Sequence, residues 1–196
     1  MSRRERAESE LTLTERARRQ QLIEATVELV ADRGYAGASL SRIAERAGIT
    51  KAAVLYHFPS KDAVVRAAHE HALTALTSQV AAAVEAADPA HGPAAYIRSM
   101  VGHLREHPRH TRMIIEAMTN ESAERQPAER WRPLAQIIEA ARSERTPKAA
   151  GDERTLAIII GGGIDAIVAE QLSDPSYDTA EAAEELIDLV QTKLSA

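Results

Sequence analysis

The chain reads as an all-α protein, with an N-terminal three-helix head followed by a helical bundle. Three observations point there. Apolar residues recur at helical spacing through most of the 196 residues, with no strand-like alternation, internal repeat or low-complexity tract. Prolines and glycines punctuate the runs where one helix must stop and the next begin. Aromatics are scarce, with Phe58 and Trp131 each unique and four tyrosines. The core must therefore come from Ala, Leu, Ile and Val, a mixture that favours helix over sheet.

The elements follow in order. Residues 1–13 are charged and lack an apolar core, and they read as a flexible arm. Thr14 to Arg33 carries apolar residues at Ala17, Leu22, Ala25, Val27, Leu29 and Val30, which predicts an amphipathic helix capped by Thr14 and stopped at Gly34. Ser39 to Ala47 is a second helix, with Leu40, Ile43, Ala44 and Ala47 on one face. Gly48 follows, where a sharp turn needs a positive φ. Thr50 caps a third helix that ends near Phe58-Pro59. Ser60 caps a long helix to about Ala87, with Asp62 well placed in its first turn. Further helices are expected over 93–106, 109–121, 127–143, 152–172 and 178–194. Pro133 marks either a first turn or a kink in its helix. The expected division is thus an arm over 1–13, a head over 14–59 and a helical body over 60–196.

Short helix, glycine turn, short helix is the layout of a helix-turn-helix, whose second helix enters the DNA major groove. Charge supports this despite a formal net charge of -5. Residues 16–62 hold eight Lys/Arg against five Asp/Glu, a local +3, whereas 63–196 hold 13 against 20, a local -7. A basic module on an acidic body suits a nucleic-acid reader with a separate second function. The absence of cysteine excludes a disulfide scaffold and thiolate metal sites. No stretch is read as approaching the roughly 18 apolar residues of a membrane span, so no membrane partner is expected and the location is taken as cytoplasmic.

Gly34-Tyr35, Ser39-Leu40, Ile43-Ala44, Ala47-Gly48-Ile49-Thr50-Lys51 and Tyr56-His57-Phe58-Pro59-Ser60-Lys61-Asp62-Ala63 occur in order. Together they resemble the head of a TetR-type (tetracycline-repressor-like) transcriptional regulator, over about residues 16–63. The body resembles that family's ligand-binding and dimerisation domain in outline only. The resemblance implies a one-component regulator, most simply a repressor. It would act as a homodimer through its last two helices, bind double-stranded DNA at a palindromic operator, and be released by a small-molecule inducer. The head departs from the family at Ala38, where a phosphate-binding Thr is frequent, at Ala52-Ala53, where Gly-Thr is common, and at Leu55, a frequent Tyr.

Candidate DNA contacts are Arg42, Thr50, Lys51, Ala52, Ala53, Tyr56, His57 and Lys61. The hydroxyl, ammonium and imidazole groups suit phosphate oxygens. Arg42 lies near the groove edge, with Arg46 on the same polar side. Ala52, Ala53 and Leu55 offer apolar contact to thymine methyls. Arg3, Arg4 and Arg6 either touch DNA or are solvated. A largely apolar ligand site is expected from Met100, Leu104, Met113, Ala117, Trp131, Ile138, Gly162 and Asp165, because thioether and indole groups adapt to apolar ligands. Gly161-Gly162-Gly163 allows close helix approach or room beside a ligand. Asp165 is either a polar handle there or a surface aspartate.

No cofactor or metal is expected. His103, His107 and His110 have a suggestive spacing, but Pro108 interrupts it and no carboxylate cluster completes a set. No enzyme is expected either, since a nucleophile elbow, a His-Glu-x-x-His and a phosphate loop are all missing. An enzyme using Glu116 or Asp165 with a histidine would require turnover of a ligand. The alternative of another class is a DNA-free dimeric helical adaptor or ligand-binding protein.

Overall fold

The computed structural model describes residues 12–120, 127–145 and 152–195. These residues are helical with no strand. The helices are α1 (Leu13–Gly37), α2 (Leu40–Arg46), α3 (Lys51–His57), α4 (Lys61–Glu85), α5 (Gly92–Glu106), α6 (Pro108–Asn120), α7 (Pro127–Arg145), α8 (Glu153–Ser173) and α9 (Thr179–Ser195), with a 3-10 turn at Pro89–His91. The expected body helices are found within one or two residues of their ends. Pro133 sits inside α7. The predicted arm, Arg3, Arg4 and Arg6 included, lies outside the described residues apart from Thr12 and Leu13.

The start of α1 corrects the expected cap. Thr12, not Thr14, is the N-cap: Glu15 N–H donates to Thr12 Oγ1 at 3.2 Å, and Thr12 N–H donates to Glu15 Oε2 at 2.9 Å. Thr12 has a glutamate three residues on, whereas Thr14 has Ala17, so only Thr12 can form the reciprocal pair. The expected stop at Gly34 is a break inside α1, where φ is +68° and ψ 173°.

The chain forms two compact units, Met1–Thr74 with Arg109–Ser122, and Ala75–Pro108 with Ala123–Ala196. This differs from a division at 59/60, because α6 joins the head and the first half of α4 goes with it. The first unit closes over Leu22, Val30, Ile43, Val54, Phe58, Val64, Ala68 and Met113, all nearly inaccessible to solvent. Aliphatic side chains fill most of this space around Phe58.

The second unit is built around Ile97, Val101, Leu134, Ile138, Ile160, Ile164, Ile187 and Val190. An ideal Cβ on Gly163 would lie 3.3 Å from Leu186 Cδ2, so α8 and α9 approach closely there. Cβ atoms on Gly161 and Gly162 would meet nothing within 4 Å. The glycine run thus serves inward packing at its last member only. Arg142 Nε lies 3.2 Å from Glu153 Oε1, tying α7 to α8. Arg98 on α5 grips Glu184 on α9 through Nε and Nη2. Both partners are about half exposed, which keeps the contribution of the pair to stability small. His103 on α5 shares a hydrogen bond of 2.6 Å with Gln79 Oε1 through Nδ1. Among the described residues, no group of three or more His, Asp or Glu could hold a metal ion.

One sequence expectation needs correction. α8 contains an 18-residue window of mean hydropathy 1.5, long and apolar enough by length and composition to cross a membrane. The strict apolar-run reading missed it because Asp165 and the glycines interrupt the run. Only 22% of that window is buried among the described residues, so α8 carries an exposed apolar surface.

Candidate nucleic-acid interface

The interface is built on α2 and α3. Ser39 starts α2, its Oγ accepting from Arg42 N–H at 3.3 Å. The helix is closed by Gly48 N–H to Glu45 O and Ile49 N–H to Ala44 O. Gly48 has φ +66° and open space around its Cβ position. Glycine is therefore needed there for the backbone conformation and not for room. Thr50 then opens α3 by accepting from Ala53 N–H at 3.2 Å. Val54 and Phe58 anchor α3 in the core together with Ile43 and Ala47.

α1 fixes both short helices from behind. Gln21 Nε2 donates to Ala47 O at 2.9 Å, at the end of α2. Arg19 donates to His57 O, at the end of α3, and lies 4.2 Å from the centre of the Phe58 ring. Each contact satisfies a carbonyl that a helix terminus would leave without an intrahelical partner.

The opposite side of α3 is the free one. Thr50, Lys51, Ala52, Leu55 and Tyr56 are exposed, with Tyr56 at 75% and Leu55 at 42%. Ala53 and His57 are half-buried at its margins. Tyr56 Oη donates to Glu15 Oε1 at 3.2 Å, and its ring meets the His57 ring edge-on with centroids 5.0 Å apart. Burial, then the nearby Arg19 charge, hold the His57 imidazole below its ordinary pKa; Glu15 pulls the other way less strongly than Arg19, and Arg18 adds the smallest contribution. The same surroundings disfavour the imidazolium form of His57.

The other predicted polar groups are not equally available. Arg42 is exposed, but its Nη1 donates to Gly37 O at 2.6 Å. Arg46 is tied to Glu28 at 2.9 Å and Asp32 at 3.0 Å, inside the head. Lys61 is turned onto Tyr35, donating to its carbonyl at 2.7 Å and lying 3.8 Å from its ring centre. Tyr35 also donates through its hydroxyl to Asp62, and its own N–H is accepted by Glu116 Oε2 of α6 at 2.9 Å. Arg109, also on α6, reaches Glu28 Oε1 at 3.1 Å. The roles of Arg19, Glu15 and Glu116 were missed from the sequence. The pair Thr12-x-x-Glu15 carried a capping-box signal, but a contact such as Tyr35–Glu116, 81 positions apart, leaves no local trace.

The predicted ligand residues are divided between the two units. Ile138 is at the centre of the second unit's core, with Met100, Leu104 and Trp131 packed half-buried around it. Met113 and Ala117 are buried in the first unit. Gly162 and Asp165 face outward from α8 and are exposed. The last two therefore border the apolar outer surface of α8 and do not line the core beside Ile138.

A capped three-helix unit that fixes one short helix from behind and frees its opposite face defines a helix-turn-helix protein. Comparison agrees. Residues 22–68 match the family model for bacterial regulatory proteins of the tetR family. Over 84 residues the chain is 36% identical to the HTH-type transcriptional regulator BetI 1 of Chromohalobacter salexigens, covering 43% of this chain and 41% of that one. The chain thus spans about two-fifths of the length of the curated relatives it matches. A TetR-like transcriptional regulator from Rhodococcus sp. RHA1 has the same fold, with TM-score 0.74 and 21% identity over 91% of this chain and 96% of that one. The fatty acid degradation regulator FadR of Bacillus halodurans also has this fold, with TM-score 0.68 and 18% identity over 88% of this chain and 94% of that one. Residues 22–68 of the chain thus match the head of the TetR family, and the fold over most of its length is that of TetR-like regulators.

Proposed function

We propose that this protein is a homodimeric, one-component transcriptional repressor. It binds a palindromic operator in the cytoplasm through α3 and is released by a small, largely apolar ligand. The observation that carries the DNA reading is the free face of α3, where Lys51 and Tyr56 are presented from a helix capped by Thr50 and clamped by Arg19. The dimer rests on the outer side of α8 and α9. Ile158, Ile159 and Leu189 are 49%, 61% and 69% exposed, on helices whose other sides close the second unit's core. Large apolar side chains clustered at the surface mark an association site. A second copy is favoured over lipid because Asp165 and Glu170 lie on the exposed side of α8. The ligand reading rests on the aliphatic surroundings of Met100, Leu104 and Trp131. Release would follow by linkage, since a ligand that prefers a form with mis-spaced heads must lower DNA affinity by the same factor.

The test is a binding titration against the DNA upstream of the protein's own coding sequence at two salt concentrations. Tight binding that weakens steeply with salt supports the reading. Lys51→Ala should reduce the salt slope by about one. Weak binding that is equal on every sequence and unchanged in Lys51→Ala would favour the DNA-free adaptor. Medium-chain aliphatic acids and hydrophobic cations, added to the preformed complex, probe release.

A further inference from the structure

Sequence is read in the major groove by bidentate Arg or Lys on guanine, Asn or Gln on adenine, Asp or Glu on cytosine, and apolar contact with the thymine methyl. α3 is Lys51-Ala-Ala-Val-Leu-Tyr-His57 and contains no Arg, Asn, Gln, Asp or Glu. The exposed residues are Lys51, Ala52, Leu55 and Tyr56. At about 100° per residue, Leu55 and Ala52 stand side by side at the middle of that face, with Lys51 on one flank and Tyr56 on the other. Val54 is fully buried on the opposing side, so the rotation of the helix is fixed. The centre of the reading face is therefore a methyl and an isobutyl group, and its hydrogen-bonding groups stand at the edges. Apolar groups pressed on the donors and acceptors of other bases would strip their water without replacing it, at a cost in affinity. A base methyl is the one partner that such a centre rewards.

We propose that Ala52 and Leu55 are the specificity-determining residues of the head, and that they read the C5-methyl groups of pyrimidines. Thymine supplies that group in ordinary DNA, and 5-methylcytosine presents the same one. This inference rests on the DNA-binding reading above and adds the chemistry of the recognised base. Lys51 and Tyr56, at the flanks, hold phosphates and set the register without choosing the sequence.

The experiment uses the full-length chain and a random duplex library. The selected duplex is resynthesised with deoxyuridine in place of single thymines, which removes the methyl and nothing else. At one or two thymines in each half-site, affinity should fall about fourfold, the value of one buried methyl(ene) group. The salt slope should not change, because no phosphate contact is touched. Cytosine at such a position should bind weakly, and 5-methylcytosine should recover about fourfold. Leu55→Ala changes an exposed position, and its fold can be checked by thermal melting. It should abolish the uracil penalty at one thymine, whereas Lys51→Ala should weaken binding with the penalty intact. If wild type binds its selected duplex and no uracil substitution matters, methyl reading is overturned and DNA binding stands. If Leu55→Ala keeps every penalty, the assignment to Leu55 is overturned. If no duplex is enriched at all, both the methyl reading and the DNA-binding reading fall.

Discussion

The head and the body use the same kind of side chain to opposite ends. In the first unit, Leu22, Ile43, Val54 and Phe58 are buried so that one seven-residue helix stands in a fixed orientation. What remains outside is sparse, specific and partly polar. In the second unit, Ile97, Ile138, Ile160 and Ile187 close a core, yet Ile158, Ile159 and Leu189 remain at the surface. The difference teaches that burial alone does not tell scaffold from surface of action. In the head the working residues are those for which the core provides a mount. In the body, Ile158, Ile159 and Leu189 are apolar residues that the core leaves over.

The largest effect is expected from emptying the head's core. Ile43→Ala should cost about 2–5 kcal/mol of unfolding free energy. It should remove DNA binding while leaving self-association through α8 and α9, as read by chemical denaturation, duplex titration and sedimentation side by side. Loss of both together would mean that the units do not separate in this way. Next in size is the converse change. Ile159→Glu with Leu189→Glu should abolish self-association and lower affinity for a palindrome by about 10²-fold through lost avidity. Helix content should be unchanged, and an unchanged sedimentation coefficient would sink the dimer face.

A smaller effect belongs to the cap that opens α3. Thr50→Ala should cost about 1 kcal/mol in denaturant titration, because Ala53 N–H loses its acceptor. Thr50→Ser should restore most of it. Smallest is a pH effect in the head. His57 is held below its ordinary value by burial and by Arg19. The unfolded chain therefore takes up the proton first as pH falls. Stability should be complete above about 6.5, the unfolded value, and decline as pH drops from there through the folded pKa. Thermal melts from pH 8 to 5 should show that decline shrink in His57→Gln.

The head was legible because its signals are local. Ser39, Gly48 and Thr50 each do chemistry on backbone groups within five residues, and Ile43, Val54 and Phe58 announce themselves by spacing. The Thr12 cap was legible too, through Glu15, although proximity to the apolar run favoured Thr14. The body's helices were readable from their periodicity and breaks, but which unit each candidate ligand residue joins was not. Met113 and Met100 look alike as residue types, and only tertiary packing assigns them to different units. Gly162 and Gly163 are neighbours, and only the position of Leu186 decides which one is in contact. Arg19 on α1 gave no hint that it would close α3, since its partner lies 38 positions away.

That last contact has a mechanical consequence. Gln21 and Arg19 sit within one turn of α1 and hold the terminal carbonyls of α2 and α3 respectively. The two short helices are thus riveted to one spar, and neither can shift without breaking a bond to it. A disturbance arriving along α1 must tilt the whole trihelical block. The face of α3 would then change its direction while keeping its internal geometry.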